Sequence, residues 1–449
     1  MDSTDIPPSE TLPAGAAAPA EDAAVRRAHH KALLIVFLVI FIDLLGFGIV
    51  LPLLPRIAKG YIPGGADSPW TGVIIGLLMA SFSAMQFIFA PIYGRISDRV
   101  GRRPILMLGL VSSAVFYALF AYACHLGSVG EQHLALILLF VARIGAGAAG
   151  ATIGTAQAAI ADSTTPERRS RGMALIGAAF GIGFTFGPLL GAGILLLTND
   201  NDSSPGWLAA ALSAFAFVLA WFILPETLHP GSEARHRKWL DMDGLRIVLR
   251  TPTVGLLILM FFLSTFAFAM FEPTLALLLD TPALSMNKRN SFYVFTYVGL
   301  VLTIAQGFLY RRLASRLKEI TFIWSGAVLM VLGLGGMAMI ARLADAPTTD
   351  NTLFVSLFAA LAVAVTGFAF VTPSVQALIS RRSDPTRQGE ILGVNQSANA
   401  LARILGPAVG TPLFTWQATE HLGPYAAGAA LLLVVFCLAF AIRDVSSGA

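Results

Sequence analysis

From about residue 32 onward, long apolar runs recur along the chain, separated by short clusters of charge, glycine or proline. Each run is long enough to cross a hydrocarbon core about 30 Å thick as a helix rising about 1.5 Å per residue. Boundaries drawn at the charged and Gly/Pro clusters predict twelve helices, near residues 32–54, 71–93, 104–125, 134–161, 171–197, 207–224, 253–279, 291–310, 320–341, 352–379, 390–415 and 424–442. An even number of crossings puts both termini on the same side.

Composition agrees with this pattern. The chain is 56% hydrophobic and 12% charged, with 31 phenylalanines and a mean hydropathy of +0.74. That lies outside the range of soluble domains and predicts an all-α integral membrane protein. The first residues, 1–31, are rich in Ala, Pro and acid with no apolar core of their own. They read as a disordered tail rather than a signal peptide. Cys124 and Cys437 fall in or at the ends of apolar runs and read as small buried residues rather than a disulfide.

Charge matters through its distribution. The tails and the loops on one face hold 23 of the 30 Lys and Arg residues, and the opposite loops hold five: Arg56, Lys59, Lys288, Arg289 and Arg342. The positive-inside rule therefore places both termini in the cytoplasm. The longest connection, 225–252, includes the charged stretch "SEARHRKWLDMDGLR" and lies halfway along. It reads as a cytoplasmic linker between two six-helix bundles, 32–224 and 253–442, followed by a short tail, 443–449.

A shift of 219 positions superimposes Gln157 on Gln376, Pro166 on Pro385, Arg168 on Arg387, Gly187-Pro188 on Gly406-Pro407 and Gly191 on Gly410. A shift of 217 sets Tyr93, Arg95 and Arg99 against Tyr310, Arg312 and Arg316. The Gly-Pro pair falls mid-helix in both copies. Two parallel repeats around a midplane site are the architecture of a secondary transporter.

Four ionisable side chains fall well inside predicted helices: Asp43, Arg143, Glu272 and Arg403. Each costs roughly 2.5–3.5 kcal/mol at a helix centre, so each is expected to face a cavity or a partner. Asn395, Asn399 and Arg403, spaced i, i+4, i+8, share one face of the eleventh helix, with Gln396 beside it. Such a stripe should line water or substrate. Glu272, beside Pro273, is expected to pair with Arg403.

The turn "YGRISDRVGRRPIL", Tyr93 to Leu106, carries one acid, Asp98, among Arg95, Arg99, Arg102 and Arg103, with Gly94 and Gly101 giving the backbone room to turn. It resembles the signature between helices two and three of the major facilitator superfamily. "ARIGAGAAGATIGTAQAAIADSTTPERRSRGMALIGAAFGIGFTFGPLLGAG", Ala142 to Gly193, resembles helices four and five of the drug:proton antiporters in that family. "IDLLGFGIVLPLLP" is similar to helix one of the tetracycline exporters.

The resemblance implies a cytoplasmic charge latch formed by Asp98, Arg99 and Arg102. It also implies that Arg143 assists proton transfer. In "GFTFGPLLGAG" it implies the antiporter motif, with Ala192 in place of a second glycine. Gly183, Gly187 and Gly191 recur every four residues and form a smooth strip for close helix approach, and Pro188 offers a bending point. The acid that tetracycline exporters carry in helix three falls at Phe116, and residues 320–341 hold no acid, so the resemblance does not extend to tetracycline itself.

These readings converge on a bacterial inner-membrane antiporter that exports small amphipathic molecules in exchange for protons, with Asp43 as the titrating group and Arg143 beside it. The alternative is a proton-coupled symporter for a sugar or an organic acid. A membrane enzyme is disfavoured, because the seven histidines lie in tails, loops or span ends without metal-ligand spacing. The expected partners are a small-molecule substrate, protons and the bilayer. No cofactor, metal or nucleic acid is expected, and a monomer should suffice.

Overall fold

The computed structural model describes residues 36–65, 68–164, 166–228, 251–345, 351–383 and 388–445. The N-terminal tail, most of the 225–252 linker and the end of the C-terminal tail lie outside them. Twelve helical elements follow one another, with no strand among the described residues. α1 is a bent pair, Val36–Val50 and Leu54–Tyr61. It is followed by α2 Thr71–Val100, α3 Arg102–Ser128, α4 Gln132–Asp162, α5 Pro166–Leu197, α6 Ser204–Ile223 and α7 Pro252–Leu278. The rest are α8 Lys288–Ala314, α9 Glu319–Arg342, α10 Asn351–Arg382, α11 Gln388–Thr415 and α12 Gly423–Val445.

Ten of these are long and apolar enough to cross a membrane, and the bent α1 makes eleven. α11 has the length, 28 residues, but carries the polar stripe, which lowers its apolarity. The twelve predicted positions thus all hold helices.

Their ends differ from the sequence-based ones for identifiable reasons. Span one is not a single helix from 32 to 54. It turns at Leu51–Leu53 and resumes at a 44° angle, because Pro52 and Pro55 withhold backbone donors there. α2 continues to Val100 rather than residue 93, and α10 to Arg382 rather than 379. A charged residue marks the membrane boundary but does not stop a helix.

The packing shows the duplication. α5 lies against α1, where a Cβ on Gly187 would sit 2.9 Å from the Gly48 Cα; the matching Gly406 of α11 lies against Ala269 and Met270 of α7. The two halves meet through α2 on α11 and α5 on α8. Advancing each helix number by six within the twelve maps one pair onto the other, the signature of a pseudo-twofold axis between two six-helix bundles.

Among the described residues, the hydrogen bonds between the halves lie toward one end. Thr411 Oγ1 donates to Gly72 O at 2.7 Å, and a Cβ on Gly76 would lie 2.7 Å from Pro407 O. Thr185 and Thr303 hydroxyls are 3.2 Å apart, and Thr303 also donates to Gly181 O at 3.1 Å. All these contacts lie from mid-span toward the face opposite the arginine-rich loops. At the arginine-rich end no hydrogen bond or ion pair joins the halves among the described residues. There the first half has its own apolar cluster, around Val36, Val39, Leu106, Ala156 and Ala220, separate from the large cluster shared by both halves. Among the described residues, the polar contacts that hold the halves together are thus on the face opposite the arginine-rich loops.

Candidate functional site

α1, α2, α3 and α4 cross around Asp43. Its Oδ1 accepts a hydrogen bond from Ser113 Oγ of α3 at 2.8 Å, and the side chain is half-buried. α4 tightens into a 3-10 turn at Gly150–Thr152, and Gln86 Nε2 of α2 donates to Gly150 O at 3.0 Å. A Cβ at Gly150 would lie 3.5 Å from Asp43 Oδ2 and 3.4 Å from both Gln86 Nε2 and Phe82 Cζ, so these three groups converge on one glycine. Asp43 also lines a crevice of ≈ 10 Å³ with Gly109, Thr152 and Ala156, borderline for one water molecule.

Arg143 is not the ion-pair partner of Asp43. It is buried, its guanidinium carbon 4.5 Å from the centre of the Phe82 ring and 5.7 Å from that of Phe47. Aromatic faces stabilise a desolvated cation by roughly 0.5–2 kcal/mol. Its Nε and Nη1 have no hydrogen-bond partner. The acid acting on it is Glu272 of α7, from the other half, and Tyr117 is within electrostatic reach of both Asp43 and Arg143.

The expected pairing of Glu272 with Arg403 is corrected in the same way. The two are within electrostatic reach, yet no ion pair forms between them: Glu272 is shared by Arg403 and Arg143 at longer range. On α11, Asn395 is buried with Oδ1 unpartnered, Asn399 and Arg403 are half-buried, and Gln396 is exposed. The stripe therefore spans graded depths rather than one uniformly buried wall.

The α2–α3 turn forms a closed cluster within the first half. Arg102 is ion-paired with Asp98, bonds Asp162 Oδ2 through Nε at 3.0 Å and donates from Nη1 to Ser97 Oγ at 2.7 Å. Glu226, beyond α6, accepts from the backbone N–H groups of Arg102 and Arg103 at 2.8 and 3.1 Å, which satisfies free donors at the start of α3. Arg103 donates from Nη2 to Trp221 O at 2.6 Å. Gly101 turns at φ 109°, with the Glu226 carboxylate against its α-carbon side. Gly94 faces open space. Arg99 stays outside the Asp98–Arg102–Asp162 cluster.

A model of the Major Facilitator Superfamily matches residues 36–407. The chain belongs to that superfamily. It is a carrier of small molecules and not an enzyme. Among its relatives, the class E tetracycline resistance protein of Escherichia coli is 29% identical over 397 residues, covering 87% of this chain and 89% of that one. Human major facilitator superfamily domain-containing protein 10 is 28% identical over 433 residues, covering 87% and 88%. The crystal structure of that human protein, described as an organic anion transporter, superposes with a TM-score of 0.63 at 25% identity over 92% of this chain and 99% of its own. A D-xylose-proton symporter shares the fold, with a TM-score of 0.70 at 15% identity over 91% and 97%.

In this carrier the helix-five glycines divide their work. Gly183 and Gly187 meet Leu44, Leu45 and Gly48 of α1, whereas Gly191 meets Phe292 of α8, across the halves. Pro188 is buried in the same helix, its Cδ near Gly48. Gly187→Val should cut the monodisperse yield after detergent extraction sharply, since backbone atoms 2.9–3.0 Å from the new Cβ cannot yield without prying α1 off α5. Overpacking of this kind costs about 1–3 kcal/mol or more. Gly177→Ala, with nothing within 4 Å, should behave as wild type in the same gel-filtration assay.

Sequence reasoning missed Ser113, Gln86, Tyr117, Asp162 and Glu226. Ser113 and Gln86 are short polar interruptions in apolar runs, the same signal that exposed Asp43. Glu226 left no such signal, because it acts through the chain's return to a helix start 124 residues earlier. Cys437 is exposed on α12 rather than buried, and Cys124 is buried as expected.

Proposed function

We propose that this carrier is a proton-coupled antiporter that exports small amphipathic molecules, working as a monomer in a bacterial inner membrane with both termini cytoplasmic. The observation that carries this reading is Asp43, a half-buried carboxylate in the membrane interior with a single side-chain donor, Ser113, and no cation paired to it. An acid so placed can give up and regain a proton as access alternates. Arg143 and Asp98 belong to the same reading, the first as the positive group between Asp43 and the substrate space, the second as part of the latch that times the exchange.

The tetracycline resistance relatives support export. The substrate space, at the meeting of α4, α7 and α11, sets Arg143 and Arg403 against the single acid Glu272. Two guanidiniums, one with unpartnered N–H groups, favour amphiphiles bearing an anionic group, and the human relative described as an organic anion transporter points the same way. The resulting cycle loads substrate from the arginine-rich face and releases it on the other.

Inverted membrane vesicles with an acid interior test direction and coupling together. Accumulation of an amphipathic organic anion that collapses on adding a protonophore is the expected result. Accumulation only in right-side-out vesicles with an acid exterior would instead establish the symporter.

A further inference from the structure

Five basic residues lie on the face that the positive-inside rule depletes, and four of them do the same thing. Arg56 Nε is 2.9 Å from Asp280 Oδ1 and Lys59 Nζ is 3.0 Å from Asp280 Oδ2. Arg56 Nη1 also donates to Met286 O at 2.8 Å. Lys288 Nζ reaches both oxygens of Asp202 at 2.5 and 2.6 Å, and Arg289 Nη2 is 3.0 Å from Asp200 Oδ2. Each pair joins one half of the carrier to the other. The first set links the second segment of α1 to the turn after α7. The second links the start of α8 to the turn after α5. The fifth residue, Arg342, pairs with Glu420 inside the second half.

We propose that these residues form a two-part ion-pair clasp that holds the face opposite the arginine-rich loops closed and must open once in every transport cycle. Three features support a clasp rather than scattered surface pairs. Asp280 is only 19% exposed and is shared by two cations. The α5 turn reaches Asp202 through Asn199 and Asp200, both in the left-handed region at φ 52° and 59°, a conformation that short polar side chains tolerate. And all the ion pairs across the halves among the described residues are here, while the charges at the other end, around Arg102, stay within one half. Parting the halves on this face would separate every one of these pairs, whereas the latch on the opposite face would be untouched.

The clasp is tested by the distance between the outer ends of the halves. Spin labels at Ser128→Cys, at the end of α3, and Leu343→Cys, just beyond α9, report it in a Cys124→Ser, Cys437→Ser background; both labelled positions are exposed. The unaltered clasp should give one dominant short-distance population. Asp280→Asn should raise the long-distance population about three- to fivefold, the scale on which partly exposed ion pairs act. Lys288→Asp and Asp202→Lys should each do the same, and the two together should restore the short distance.

Unchanged distances in all single variants would overturn the clasp. So would single charge reversals that abolish folding while the double variant folds, since the pair would then be needed to build the protein rather than to gate it. The measurement needs no substrate, so it stands whether or not export is found.

Discussion

Asp43→Asn is expected to fold, insert and still exchange substrate for substrate, but to lose gradient-driven accumulation by about a hundredfold or more, the scale on which a positioned proton-transfer group acts. The amide has nearly the same shape and can still accept from Ser113, so the local packing of α1 on α3 should survive. What it cannot do is release a proton. Counterflow, in which labelled substrate exchanges against unlabelled substrate with no gradient, separates the two functions in one preparation. Near-normal accumulation in inverted vesicles would remove Asp43 from coupling. Loss of counterflow along with accumulation would make it a substrate contact instead. Ser113→Ala should give an intermediate defect, because it removes a donor and leaves the carboxylate in place.

The parts of the carrier that were legible in the sequence are those written in local pattern. Helix positions follow from apolar runs, the duplication from Gly187-Pro188 and Gly406-Pro407, and the candidate charges from their cost in lipid. Partnership was not legible. Asp43 and Arg143 sit on different helices of one bundle, yet the aspartate turns to Ser113 and the arginine to Phe82 and Phe47. The motif glycines show the same limit. A four-residue spacing predicts a smooth strip, but not that Gly187 meets α1 while Gly191 meets α8. Pairings such as Lys59 with Asp280, 221 residues apart, have no local signature at all.

A larger effect on stability is expected at Glu272. It is the acid within electrostatic reach of both Arg143 and Arg403, and neither arginine forms a direct ion pair with it. One carboxylate therefore offsets two cations. Glu272→Gln keeps the shape and removes the offset for both, so each arginine loses the acid within its electrostatic reach. Arg403→Met still leaves Glu272 opposite Arg143, and Arg143→Met leaves it opposite Arg403, so each of these should cost less. The expected order of apparent melting temperature in detergent is wild type, then the two arginine variants, then Glu272→Gln. Adding Arg403→Met to Glu272→Gln should recover part of the loss, since only one unbalanced cation then remains. Equal melting of Glu272→Gln and wild type would mean that the carboxylate carries no counter-charge role. Glu272 would then be assigned to contact with cationic substrates, whose binding should fall in that variant while the fold is unaffected.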